Sequence, residues 1–133
     1  MRILVDTNIL FSALLFPNST PARALFHVTR NHEMYLTDRN IEEIKDVLSR
    51  KRPDMVPALN LFLSELSYTL IPAIYSPTVP MRDAKDQPIL NAAILEDLDL
   101  VITGDKDFLA LDLSKPECVT ATEYCERYIN RRN

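Results

Sequence analysis

A single glycine, Gly104, serves the whole 133-residue chain. Glycine-rich phosphate loops and dinucleotide-binding turns need several glycines for close backbone approach to phosphate, so both kinds of site are excluded. Cysteine is nearly as scarce. Cys118 and Cys125 stand seven apart, which fits no zinc or redox motif, and they read as half-buried free thiols in a reducing cytosol. No apolar run approaches the roughly 18 residues of a membrane-spanning helix. No basic leader ending in small residues precedes the first strand, so the expectation is a cytoplasmic protein without signal peptide or membrane span. Positive charge is in deficit, with 15 Lys and Arg against 19 Asp and Glu for a net charge of −4. Taken alone, that balance argues against a nucleic-acid partner, because phosphate binding usually leaves a basic footprint.

What the chain does have is alternation. The short apolar run Ile3-Leu4-Val5 reads as a buried strand from Arg2 to Val5, stopped by Asp6, and a second apolar run follows from Ile9 to Leu15. The segment "NSTPARALFHVTRN" carries a helix start, with Ser19 or Thr20 as cap and Pro21 in the first turn. A strand over 33–37 leads to Thr37 or Asp38, which caps a helix through about Arg50 with Ile41, Ile44, Val47 and Leu48 at helical spacing. Pro53 ends it, and another helix enters through Pro57. A strand within 68–75 runs into a proline-rich connection. Then come an apolar helix from Ile89 to Leu95, the strand "LDLVIT", a turn with a short helix, the strand "ECVTAT" and a helix from Thr122 to Arg132. Strands alternating with helices predict an α/β protein with a parallel sheet covered on both faces, and the length suits one domain over 1–133.

In such a sheet, ligands sit beyond the carboxyl ends of the strands, near a switch in strand order. Asp6 ends the first strand, and Asp105 follows "LVIT" across the turn at Gly104, so both belong to that edge. Asp83 and Asp86 end the proline-rich loop, and Asp86 stands where the N-cap of the Ile89 helix is expected. At about 100° per residue, Glu43 falls beside Val47 on the shoulder of the buried helical face, while Glu42 points into solvent. Singly, each acid has an ordinary explanation as a turn former, helix cap or surface charge. Converging, Asp6, Glu43, Asp86 and Asp105 would repel one another and push their pKa values up. A hard divalent cation, Mg²⁺ or Mn²⁺, answers that repulsion, since no His or Cys cluster favours zinc.

The segments "VDTNIL…SALL", "IEEIKDVL", "RDAKDQPIL…A" and "LVITGDKDFL", in this order from Arg2 to about Leu111, together resemble PIN-domain ribonucleases. The likeness is closest to the VapC-like toxin branch of bacteria and archaea. It implies a three-layer α/β/α sandwich and an acidic quartet holding one or two Mg²⁺ or Mn²⁺ ions. Carried over by position, that quartet is Asp6, Glu43, Asp86 and Asp105, the set already selected by geometry. The resemblance adds Asn8 and Thr103 as polar helpers, and Asp83 and Asp107 as auxiliary acids. It implies metal-dependent endonucleolytic hydrolysis of RNA, either by a toxin held in check by an antitoxin protein or by a housekeeping nuclease of RNA processing. Such chemistry needs no protein nucleophile, so the lack of a Ser-His or Cys-His pair is no obstacle.

Removing the four quartet charges takes the net charge from −4 to 0, which weakens the objection to RNA. Arg50-Lys51-Arg52 and Arg127, Arg131, Arg132 form basic clusters open to three readings: solvated face, partner contact or RNA backbone contact. A haloacid-dehalogenase-like phosphotransfer site needs a second Asp where Asn8 stands, and a receiver-like domain needs paired acids that are missing. The apolar residues Leu59, Leu61, Phe62, Leu63 and Leu66 cover most of one helical wheel and predict a homodimer contact.

Overall fold

The computed structural model describes residues 1–75 and 86–130; Asp83, Arg131 and Arg132 lie outside them. Strand β1 (Arg2–Val5) stops at Asp6, whose carboxylate accepts the Thr7 N–H at 2.8 Å and so starts helix α1 (Thr7–Leu15). Ser19 caps α2 (Thr20–Asn31) with Pro21 in its first turn, as the sequence predicts. After β2 (Glu33–Thr37), helix α3 (Asp38–Lys51) opens on a reciprocal cap. The Thr37 hydroxyl oxygen accepts from the Asn40 N–H at 3.1 Å, and Asn40 Oδ1 accepts from the Thr37 N–H at 2.9 Å. A 3₁₀ turn (Pro53–Met55) leads to α4 (Val56–Glu65) and β3 (Thr69–Ile71). Helix α5 (Gln87–Leu95), β4 (Leu100–Ile102), the single-turn α6 (Lys106–Leu109), β5 (Glu117–Val119) and α7 (Ala121–Tyr128) complete the chain.

The five strands form one parallel sheet in the order β3-β2-β1-β4-β5. The chain therefore walks outward from β1 to β3, then returns to lay β4 on the other side of β1. That reversal opens a crevice at the carboxyl ends of β1 and β4. The β1–β4 register pairs Val5 with Ile102, and the Asp6 N–H extends it by one bond to the Ile102 carbonyl at 2.9 Å.

Strand alternation divides the core into two. Ile3, Val5, Met34, Leu36, Leu100, Ile102 and Val119 pack on one side, against α1, α2, α3, α4 and α7. Leu4, Tyr35, Ile71 and Val101 pack on the other, against α5 and α6 through Ile89, Leu90, Ala93 and Phe108. Three layers result, the α/β/α sandwich that the sequence predicts. Fully burying each such aliphatic side chain contributes about 2 kcal/mol, so both faces of the short sheet are held firmly.

The apolar arc of α4 is mostly covered from within. Leu59 is fully buried, while Phe62, Leu63 and Leu66 lean on the same core; Leu61 alone of the five is 60% exposed. His27 is hydrogen-bonded to the buried Tyr124 hydroxyl at 2.7 Å, joining α2 to α7, a structural role. Both cysteines are free, and among the described residues no helix is long and apolar enough to cross a membrane.

Candidate active site

The crevice at the strand switch opens into a cavity of about 380 Å³ lined by Asp6, Thr7, Asn8, Phe11, Glu43, Val47, Lys51, Asp86 and Asp105. All four carboxylates singled out by sequence are therefore in one place. The wheel argument holds for their neighbour as well: Glu42 is exposed, whereas Glu43 is part-buried and lines the cavity.

Asp6 is only 4% exposed. One of its oxygens caps α1, and the other accepts the Thr103 hydroxyl at 2.8 Å. The Thr103 oxygen in turn accepts the Asp105 N–H at 3.0 Å, so one buried hydroxyl ties the two strand-end acids together. Asp105 caps α6 by accepting the Asp107 N–H at 2.7 Å. Asp86 occupies the N-cap position of α5, but its side chain makes no capping bond. Its carboxyl is instead hydrogen-bonded to Asp105. Asn8 accepts the Gly104 N–H at 3.3 Å, and a Cβ on Gly104 would meet its amide nitrogen at 3.4 Å. The Asn8–Gly104 bond thus joins the α1 start to the β4 turn.

Burial is the main cause that raises the Asp6 carboxyl from 3.8 to about 6, helped by the nearby Glu43 and Asp105 charges and opposed by the Thr103 and Thr7 hydrogen bonds. Asp86 is also held far above the ordinary carboxylate range, first by burial, then by its bond to Asp105 and by the surrounding acids. With the carboxyls arranged in this way, no group of three or more His, Cys, Asp or Glu side chains among the described residues stands ready to hold a metal ion.

Several neighbours have a weaker signal in the sequence. Arg39 Nε lies 3.2 Å from Glu43 Oε1, one turn before it on α3, so a cation does sit beside the acids. The i,i+4 spacing is the available clue. Buried Asn40, besides capping α3, donates from Nδ2 to the Thr7 hydroxyl at 2.9 Å and so ties the start of α3 to the start of α1. Phe11, Val47 and Lys51 line the cavity one or two turns further along the same helices. Asp107 is placed differently: it lines a separate hollow with Lys106, Ala110 and Leu111, and its backbone N–H donates to Asp105.

A parallel α/β/α sandwich with an acid-lined crevice at its strand switch is the class of protein that fold and site define. Residues 2–107 match the PIN domain family, and the chain belongs to it. It is similar to an uncharacterised protein of Methanocaldococcus jannaschii, MJ1680, at 29% identity over 119 residues, covering 84% of this chain and 75% of that protein. Its fold is similar to that of a chain in the crystal structure of VapBC2 from Rickettsia felis bound to a DNA fragment from their promoter. There the TM-score is 0.66 at 17% identity, over 90% of this chain and 97% of that one.

Proposed function

We propose that this protein is a Mg²⁺- or Mn²⁺-dependent endoribonuclease, the toxin of a toxin–antitoxin pair, acting through Asp6, Glu43, Asp86 and Asp105. The observation that carries this reading is the convergence of those four carboxylates in one cavity of a PIN domain. PIN domains are typically nucleases. The donor set fits a hard divalent cation: every acidic group is an oxygen ligand, and burial together with the neighbouring acids raises the Asp86 carboxyl, a repulsion that positive charge would relieve. When bound, such a cation supplies acidification of a water and neutralisation of charge on the phosphodiester.

The chain's own residues prepare that site. Thr103 and the Thr7 N–H hold both Asp6 oxygens in place, so the carboxylate is oriented before any ligand arrives. Asp105 is fixed by the backbone of Asp107, and Arg39 restrains Glu43. Asn8, beside Gly104 at the mouth, offers an amide for a phosphate oxygen. The likeness to VapBC2 supports an antitoxin protein as partner, and exposed Leu61 on α4 supports a two-fold contact in a homodimer.

Calorimetric titration with Mn²⁺, paired with cleavage of a generic single-stranded RNA, tests the reading. Wild type should bind and cleave, and Asp6→Asn should strongly weaken both. Equal Mn²⁺ binding by the two proteins would exclude the site.

A further inference from the structure

The acidic cavity has a second wall that the hydrolytic reading leaves unused. Along α1, Phe11 follows Thr7 by one turn; along α3, Val47 and Lys51 follow Glu43 by one and two turns. Two turns of helix put about 12 Å of rise between Glu43 and Lys51. A lysine stem on a helix leans back toward the helix N-terminus, which is here the direction of the acids. The cavity thus runs from an anionic floor at the strand ends to an apolar and cationic wall between α1 and α3.

Three consecutive cations close α3, and the structure separates them. Arg50 turns to Asp46 at 2.9 Å and Arg52 to Asp54 at 3.1 Å, while Lys51 lines the acidic cavity. An ordinary role in offsetting the helix dipole applies to Arg50 and Lys51 alike, as both stand in the last turn. The cavity is what distinguishes Lys51. Phe11 is part-buried, with one side on the core and a share of the cavity wall beside Val47. An aromatic ring and a cation lining one cavity with acids suited to phosphodiester chemistry match a base and a neighbouring phosphate. Only an unstacked base can offer its face to such a ring, which duplex RNA does not do.

We propose that Phe11 and Lys51 form a nucleotide subsite beside the acids, stacking an unpaired base on the Phe11 ring and holding a neighbouring phosphate on the Lys51 ammonium. Taking RNA as the ligand rests on the nuclease reading above. The test is fluorescence anisotropy of a labelled single-stranded RNA oligonucleotide, with Ca²⁺ replacing Mg²⁺ to suppress cleavage, followed by steady-state cleavage in Mg²⁺. Phe11→Leu, which keeps an apolar side chain on the core, should weaken binding by roughly tenfold, and Phe11→Trp should restore it. Lys51→Gln should raise KM more than it lowers kcat and reduce the salt slope of log K by about 0.7, with Lys51→Arg restoring both. Arg50→Gln, at the same helix end, should change neither. Wild-type affinity in both Phe11→Leu and Lys51→Gln, equal binding of duplex RNA, or no RNA binding by wild type would each overturn the subsite. Binding that depends on Phe11 and Lys51 without Mg²⁺-dependent cleavage would support the subsite and overturn the nuclease reading instead.

Discussion

Replacing Asp6 by Asn should make the metal-free protein more stable at neutral and alkaline pH, although it removes the most buried member of the acidic set. The Asp6 carboxyl is 4% exposed and titrates at about 6 instead of 3.8. Because the folded value lies above the unfolded one, the native chain binds more protons between 3.8 and about 6. Stability therefore falls as pH rises through that window, and above it the full penalty applies. That shift corresponds to about 3 kcal/mol. Asn escapes the penalty, and its Oδ1 can still accept the Thr7 N–H. Its Nδ2 faces a Thr103 hydroxyl that must turn from donor to acceptor, a loss of about 1 kcal/mol. The net gain is about 2 kcal/mol, or roughly 6 °C in Tm for a domain of this size. Differential scanning calorimetry in EDTA at about pH 8 and about pH 4 measures it, and the gain should vanish at the acid end. With Mn²⁺ in excess the order should reverse, because only the wild type gains from binding. A less stable Asp6→Asn at alkaline pH in EDTA, or a gain of equal size at both pH values, would refute the reasoning.

Other expectations follow from the same geometry. Glu43→Gln should cut RNA cleavage by at least about tenfold while Glu42→Gln leaves it intact, since only Glu43 lines the cavity; equal effects in a gel-based cleavage assay would contradict this. Thr103→Val strips a donor from Asp6 and an acceptor from the Asp105 N–H, and should cost about 1–3 kcal/mol in urea unfolding, with Thr103→Ser close to wild type. Asn40→Ala removes half of the α3 cap and the tie to Thr7, and should cost about 1–2 kcal/mol by the same measurement. Light scattering at micromolar concentration should report about twice the 15.3 kDa chain mass; a monomer mass unchanged on concentration would remove the dimer.

Much of this architecture is legible before any coordinates, because the sheet is parallel and buried on both sides. Its strands are short apolar runs, and the turns and helix starts that follow them are marked by Asp6, Thr37 and Gly104, whereas Thr120, which reads as part of the last strand, is the cap of α7. Alternation with helices then places Asp6 and Asp105 on one edge. The run Ile9–Leu15 is harder to read, since a helix apolar nearly all round shows no period, and only the Asp6 cap marks its start. The strand order is not written in any segment, and without it the inner wall of α1 and α3 cannot be assigned to the site. The same holds for Asn40, whose second bond reaches 33 positions back to Thr7. Wheel geometry separates Glu43 from Glu42 but cannot see that Leu59, Phe62 and Leu66 find cover within the chain, which weakens the sequence argument for a dimer.

The order of the strands also sets a timetable. β1 and β2 leave the ribosome early, yet the open edge of β1 is completed only by β4, nearly a hundred residues later. Asp6 and Glu43 are thus made well before Asp105 and the Thr103 hydroxyl that steadies Asp6. A nascent chain carries no assembled cavity until β4 and Thr103 have joined β1.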